Sequence, residues 1–488
     1  MHWTKLIAFG ALAASVQIGA QTNSNSRALS LSDAIDLAIA KNLDVQVQRH
    51  GPIIARLDLQ AATESYYVPQ PDLSLSLNHV ATATALGSKP SGTETEATLI
   101  PGLSGFLPSG ASYRLDLNLK RSGLPRNESF SDSWGISMVQ PLLRDRATDP
   151  GRAQILIARK GVQSAEISLI GQIMQTVFSV EQSYNNLLAA IENLKVSEKS
   201  VELAERTLAD NKKRVEAGAM AILDEKEAES QVATSKADLF ASQQRLAAQQ
   251  NALKNLLTDD YASLHDVSLA PSQSLAAQAQ SYDLQESWRK GLTQKPELQL
   301  ARLALDQRDI SLRLNRNQLL PRLDFLASYG IAGSDASFDN AMDRALRDEN
   351  SSYSYGIRLR FPLGNSAAKD RYKLAQEQLE QQILQLKKLE QQVMVQIDDA
   401  IKQAQTSYQR VGATRQAREF AETALDAEQK KLENGKSTSF FVLQLQQRLT
   451  AARVAEVSAL SEYNNALAQL AFREGSTLAR NQLDVQFK

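Results

Sequence analysis

Few residues of this chain have the type and spacing to do chemistry. Four histidines, His2, His50, His79 and His265, are scattered over 488 residues without metal-ligand spacing. Asp398 and Asp399 form an acidic pair. On a helix adjacent residues point to different faces, so the two cannot share a proton as a catalytic dyad does. Gly435-Lys436-Ser437 has the form of the end of a phosphate-cradling loop. The place of that loop's first glycine holds Lys430, and a helical pattern rather than a strand precedes it, so phosphate binding is rejected. Cysteine is absent, which removes disulfides, thiol nucleophiles and thiolate metal ligands. No Gly-rich nucleotide fingerprint or nucleophile elbow occurs. The sequence predicts a protein that is not an enzyme, with no catalytic residue, no cofactor and no metal.

The bulk composition explains what the chain builds instead. Only 22 Gly and 13 Pro punctuate it, 22% of residues are charged, and Gln, Ala and Leu fill long stretches, which suits long helices. The formal charge of −1 and the lack of a Lys/Arg stripe exclude nucleic acid as a partner. The N-terminus reads as a signal peptide over 1–20. Met1 to Lys5 is the positive region, Leu6 to Ile18 is mostly apolar, and Gly19-Ala20 offers the small-residue cleavage site. That apolar run of about 13 residues is too short to span a bilayer, and no other run is long enough. Losing Lys5 takes the formal charge from −1 to −2.

The chain repeats itself. Ser133-Trp134-Gly135-Ile136 through Pro141-Leu142 aligns without gaps on Ser354-Tyr355-Gly356-Ile357 through Pro362-Leu363. Lys213 to Gly218 matches Lys430 to Gly435, and Pro71-Asp72-Leu73 matches Pro321-Arg322-Leu323. The pairs occur in one order at similar offsets, so a unit of roughly 220–250 residues is duplicated, far longer than a solenoid repeat. Repeat 1 covers 21–281: a helix over 30–66, strands within 71–142, a helical hairpin over 151–257 and an equatorial segment over 258–281. Repeat 2 covers 282–488: a helix over 282–319, strands within 321–363, a hairpin over 366–474 and a tail from 475.

The expected helices have two lengths. Those over 151–218 and 366–435 are about 68–70 residues, or ~100 Å; those over 30–66, 221–257, 282–319 and 439–474 are about 36–38 residues, or ~55 Å. Two short helices end to end match one long one, which predicts a helical cylinder about 100 Å tall. Leu379, Ile383, Leu386, Glu390, Val393, Ile397, Ala400 and Ala404 follow strict 4-3 spacing. Leu384, Leu389 and Val395 add a second stripe, so this helix can pack on both sides, as a barrel stave does.

The strands alternate. Leu73, Leu75 and Leu77 alternate with Ser74, Ser76 and Asn78; Tyr113, Leu115, Leu117 and Leu119 with Arg114, Asp116, Asn118 and Lys120; Tyr353, Tyr355, Ile357, Leu359 and Phe361 with Ser354, Gly356, Arg358 and Arg360. No partner sheet or amphipathic cover is evident for the apolar face. A membrane barrel supplies one, with lipid outside and water inside, and Tyr113, Trp134, Tyr329, Tyr353 and Tyr355 as interfacial girdles. Repeat 1 shows three such strands, with Ala97–Ile100 as a candidate fourth before a turn over 101–110; repeat 2 shows two. The segments 88–92, 122–131 and 333–350 read as surface loops.

At this point the chain resembles the TolC-like outer-membrane efflux family. The resemblance is carried by Leu31-Ser32-Asp33-Ala34-Ile35-Asp36-Leu37-Ala38, Lys295-Pro296-Glu297-Leu298, Pro321-Arg322-Leu323, Gln140-Pro141-Leu142-Leu143-Arg144 and the two Gly turns. It implies a homotrimer whose chains share one outer-membrane β-barrel, with four strands from each, continued by a periplasmic α-helical tunnel. It also implies partners: outer-membrane lipid, a periplasmic adaptor and an inner-membrane transporter, in drug efflux or polypeptide secretion. On that basis the docking tips are Gly218, Ala219, Met220, Gly435, Lys436 and Ser437. A periplasmic gate is expected near Asp224, Glu227, Phe440, Phe441 and Gln444, helix packing being the plainer reading of the two phenylalanines. Pro71, Pro141, Pro321 and Pro362 mark the junction of barrel and tunnel. The alternative is a periplasmic adaptor or scaffold of long hairpins with no barrel, which has no use for lipid-facing strands.

Overall fold

The computed structural model describes residues 26–82, 92–124, 127–347 and 350–483. The expected signal peptide lies outside the described residues. The chain folds into a six-stranded antiparallel sheet, a layer of long helices and a small equatorial region between them. The strands are β2 (Gln70–Thr82), β3 (Gly92–Phe106), β4 (Ser112–Leu124), β5 (Asn127–Pro141), β7 (Arg322–Asp335) and β8 (Ser351–Arg360). They lie in the order β2-β3-β4-β5-β7-β8. Several of these findings correct the sequence reading. Ala97–Ile100 is the middle of a 15-residue strand, and Pro101 lies inside that strand opposite Leu73, not in a turn. The β3–β4 turn is confined to 107–111, closed by Leu107 N–H donating to Ala111 O at 2.8 Å. Of the other expected loops, 88–91 lies outside the described residues, 122–124 and 127–131 belong to β4 and β5, and 333–350 is not a plain loop either. β7 runs on to Asp335, and helix α8 (Phe338–Leu346) packs back on β7 and β5.

Two helices run the full length, α3 (Pro150–Glu216, 67 residues) and α9 (Ser366–Glu433, 68 residues). Each is ~100 Å long. α4 (Ile222–Leu257) and α10 (Ser439–Glu474) return half way, 36 residues each. The barrel-proximal half is filled by α2 (Leu43–Tyr67) and α7 (Pro296–Asn317). The helices expected over 30–66 and 282–319 are both broken. Asn42 separates α1 (Leu31–Lys41) from α2, and Lys295 separates α6 (Leu284–Gln294) from α7. The two breaks are alike. Each holds a buried polar residue in extended backbone whose N–H closes the preceding helix, on Ala38 O and Gly291 O respectively, and each is followed by a fully buried Val45 or Leu298. At Asn42 the side chain starts the next helix by accepting from Asp44 and Val45 N–H, and donates to Leu256 O at the end of α4. At Lys295 it is Pro296 in the first turn, where a missing N–H is harmless, that starts α7.

Side by side, the barrel-proximal half reads α2, α3, α7, α9 and the far half α4, α3, α10, α9. Between them β1 (Ser26–Leu29) pairs in parallel with β6 (Ser268–Pro271), and the one-turn helix α5 (Tyr261–Leu264) lies between α4 and β6 in the chain. The largest core lies there, where Ile35, Val45, Val177, Tyr184, Leu253 and Leu269 meet. Of the 4-3 stripe on α9, Val393, Ile397, Ala400 and Ala404 are buried, whereas Leu384 and Val395 of the second stripe are 65% and 59% exposed.

Candidate functional site

The sheet has two unlike faces. The register puts Leu75, Leu99, Leu115, Trp134, Tyr329 and Tyr355 on one face with their alternates. The opposite face carries Asp72, Glu96, Arg114, Asp116, Lys120, Asp324, Arg358 and Arg360. The apolar face is bare along most of its width. Leu75 is 69% exposed, Ile357 69% and Tyr353 78%. On a protein meant for water that area would drive aggregation; against lipid it is the surface required. Trp134 and Tyr329 meet edge to face at 6.0 Å. α8 covers the outer end of this same face. Trp134 Nε1 donates to Ala345 O at 3.3 Å, and Gly333 lets the helix approach, since a Cβ there would lie 2.1 Å from Ala341 O. The polar face is tied by ion pairs, Arg114–Asp72 and Lys120–Glu96, both 3.0 Å.

The sheet meets the helices at four prolines. Pro71 is the second residue of β2, Pro141 ends β5, Pro321 precedes β7 and Pro362 follows β8. All sit where a missing N–H removes little from the ladder. A node there escaped the sequence reading. Asp149 caps α3 by accepting from Gly151 and Arg152 N–H at 2.9 and 3.0 Å, and also takes the Tyr66 hydroxyl at 3.0 Å and the Arg152 guanidinium. Burial pushes the Asp149 carboxyl up, but the bonds from Arg152 and Tyr66 outweigh it and hold the group below its ordinary value. The Tyr66 hydroxyl is pushed up to about 12, by burial and then by the bond to Asp149. Arg152 also donates to Pro108, Asp145 and Arg146 carbonyls. Asp149-Pro150 is a readable N-cap followed by Pro at N1, but nothing in the sequence announces its distant partner Tyr66.

At the opposite end the two tips are built alike. Gly218 and Gly435 both have φ of +70°. Gly218 N–H donates to Val215 O and Ala219 N–H to Arg214 O; Gly435 N–H donates to Leu432 O and Lys436 N–H to Lys431 O. This paired arrangement ends a helix on a left-handed residue, which glycine adopts without the Cβ penalty. No heavy atom outside the turn lies within 4 Å of a Cβ built at either position, so the backbone angle, not crowding, asks for glycine. Ala219, Lys436, Phe440 (53%), Phe441 (51%) and Gln444 are exposed; Met220, Ser437, Asp224 and Glu227 are half-buried. Asp224 accepts from Ala221 N–H at 3.3 Å, a helix-start contact within its own element. Phe440 and Phe441 lie edge to face at 5.7 Å.

Two tip residues that the sequence reading missed hold the turns. Asn211 is buried and donates to Ser439 Oγ at 2.6 Å and to Asp224 O at 3.2 Å, so it ties α3 to both returning helices. Its duplicate Glu428 instead accepts from Ser437 across its own turn and from Lys431. The Ser437 hydroxyl and then Lys431 hold the Glu428 carboxyl below its ordinary value. Continuing the Lys213–Gly218 and Lys430–Gly435 alignment upstream pairs these two positions, and that was the available signal.

Among the described residues no group of His, Cys, Asp or Glu could hold a metal ion, and no helix is long and apolar enough to cross a membrane. A lipid-facing sheet carried on ~100 Å helices that reverse at glycine tips defines a membrane duct with a long extension. The chain matches the outer membrane efflux protein family over residues 34–258 and 288–475, and it belongs to that family. No curated protein sequence matches the chain. Among solved structures it is similar to the Campylobacter jejuni CmeC outer membrane channel, with TM-score 0.68 and 15% identity, over 92% of this chain and 86% of that one. It is similar to the Vibrio cholerae outer membrane protein VceC, with TM-score 0.67 and 16% identity, over 91% and 96%. It is also similar to the open state of the Neisseria gonorrhoeae MtrE outer membrane channel, with TM-score 0.62 and 15% identity, over 92% and 89%. The protein is thus an outer-membrane exit duct for efflux that extends into the periplasm, a transport channel and not an enzyme. A periplasmic adaptor without a barrel is set aside by the family and by the bare apolar sheet face.

Proposed function

We propose that three copies of the chain close into one passive duct. An inner-membrane transporter would feed it through a periplasmic adaptor seated on the tips. The chain acts as two repeats, 21–281 and 282–488, each supplying wall strands and a helical hairpin. The observation that carries the reading is that both lateral edges of the single chain are open and apolar. On one side stand β2, α2 and α4. Leu43, Val47, Ile54 and Leu57 of α2 follow 4-3 spacing interrupted once by His50 and are all more than half exposed, and Phe240 of α4 is 66% exposed. On the other side stand β8 and α9, with Leu374, Leu384 and Val395 exposed. An open strand edge is not tolerated in lipid, and a 4-3 stripe needs a facing helix. One copy's α9 and β8 meeting the next copy's α2, α4 and β2 satisfies both. Native mass measurement in mild detergent should find three chains; a stable monomer would overturn the closed duct.

At the tips, the exposed glycine turns with small Ala219 and Ser437 beside them leave room for an adaptor's helical hairpin. Asp224, Glu227, Phe440, Phe441 and Gln444 stand just past the tips, on the helices that would narrow the duct there. Ala219→Trp or Ser437→Trp should leave the trimer intact and reduce export at least tenfold. Normal export by assembled variants would make the tips structural turns only.

A further inference from the structure

We propose that the barrel closed by three copies has eighteen strands, because the β3–β4 hairpin is a full part of its wall. The hairpin then widens the bore and lines it with fixed ion pairs. This rests on the trimeric duct reading and goes against the four strands per chain that the family resemblance implies.

Position in the sheet is the first argument. β3 and β4 lie between β2 and β5, not at an edge. Leaving them out would require breaking two ladders that run without slip, from Gln70↔Ser104 to Thr82↔Gly92 and from Ser112↔Val139 to Leu124↔Asn127. Their alternation matches the rest of the wall. Leu99, Leu115 and Leu117 share the apolar face with Leu75 and Trp134, while Arg114, Asp116 and Lys120 face the other way. Their lengths suffice as well. At 15 and 13 residues, ~3.3 Å per residue and a tilt of about 40°, they rise ~38 and ~33 Å, more than the ~25 Å apolar band of such barrels.

The hairpin is also fastened into the junction. Its turn receives Arg152 Nη1 on Pro108 O at 3.2 Å and Gln140 Nε2 on Ser109 O at 3.3 Å, and Phe106 stacks on Tyr66 at 4.9 Å. On the polar face Arg114 of β4 reaches over β3 to Asp72 of β2 at 3.0 Å. It crosses at Gly102, where a Cβ would stand 2.7 Å from Asp72 Oδ1 and 3.1 Å from Arg114 Nη2. The glycine leaves the gap that a bridge spanning three strands needs.

Strand number sets the bore. With ~4.8 Å between strands and equal tilt of about 40°, twelve strands close at ~24 Å between backbone walls and eighteen at ~36 Å. The wider lumen carries Asp72–Arg114 and Glu96–Lys120 pairs from every chain, and suits bulky polar cargo better than a narrow pore does.

The absence of cysteine makes the test direct. Leu115→Cys, Asp116→Cys, Leu117→Cys, Asn118→Cys and Leu119→Cys are made one at a time, and trimers are reconstituted into phosphatidylcholine vesicles. Fluorophores at 115, 117 and 119 should be quenched at least threefold more by bromine on the lipid tails than those at 116 and 118. The latter two should react with a membrane-impermeant thiol reagent. Tyr355→Cys and Gly356→Cys on β8 serve as the wall control, and Leu99→Cys against Thr98→Cys on β3 replaces any β4 variant that fails to assemble. Alternation on β8 without alternation on β3 and β4 would overturn the eighteen-stranded wall and leave the duct standing. No trimer, or no alternation on β8, would overturn both.

Discussion

The two ends of the duplicated unit have kept different amounts of their common plan. At the tips the copies are nearly superposable in bonding: the same pair of backbone hydrogen bonds, the same φ of +70° at Gly218 and Gly435, and returning helices of 36 residues each. At the sheet they diverge, with four strands in repeat 1 and two strands plus α8 in repeat 2. The difference follows from what each end must satisfy. A ~100 Å helix that reverses at once has few ways to turn, and a left-handed glycine is the least costly of them. A sheet accepts an added antiparallel hairpin without disturbing its neighbours, because two strands restore direction, register and the side-chain alternation.

Four substitutions and one change of pH test that contrast, in falling order of effect. The sheet-to-helix joint is fastened in repeat 1 by Asp149 with several partners, whereas Asn365 at the start of α9 makes no side-chain cap bond and donates only once, to Leu319 O at 3.3 Å. Asp149→Ala leaves Tyr66 and Arg152 without their carboxylate and should lower thermal stability by about 3 kcal/mol, against about 1 kcal/mol for Asn365→Ala, which loses one bond and places a residue less tolerant than Asn at φ +41°. Thermal unfolding followed by circular dichroism would report this, and equal losses would remove the asymmetry. At the tips, Gly218→Ala and Gly435→Ala should each loosen the turn by about 1–2 kcal/mol. Amide exchange of the Ala219 and Lys436 N–H groups would measure it, and a large difference between the two tips would break their equivalence.

The smallest effect separates the tips by pH. Glu428 is held below its ordinary value, so its contribution is complete above the usual glutamate range and fades as pH falls through the lowered value. Asn211, in the matching place, has no proton to gain. Below about pH 4 exchange at the second turn should be accelerated more than at the first. Equal acceleration at both tips would show that Glu428 does not govern the difference.

How much of this could be read from the chain follows from the same physics. Leu73 to Leu77 and Tyr113 to Leu119 alternate cleanly, and so announced their strands. The β3 sequence, with Glu94, Glu96, Pro101 and three glycines, hides its alternation, and only its neighbours in the sheet hold it extended. The breaks at Asn42 and Lys295 were masked because the apolar rhythm continues on both sides, although Pro296 was a visible warning. α8 lay within a stretch rich in Asp and Asn; its small buried residues Ala341 and Ala345 have meaning only against Gly333. The tip turns were legible from glycine alone, whereas their braces Asn211 and Glu428 act through partners that only folding brings near.

The central claim, that open edges of one copy are closed by the next into a ring of three, can be tested with the same cysteine-free chain. Cysteines are placed in pairs, one at Leu73, Leu75 or Leu77 on β2 and one at Tyr353, Tyr355, Ile357 or Leu359 on β8, and oxidised in native outer membranes. A disulfide needs Cα atoms about 4.4–6.8 Å apart, so only pairs in one register should react. The account predicts that those pairs give covalent dimers and trimers and nothing larger. Failure of every pair to link, or a ladder running beyond three chains, would contradict it.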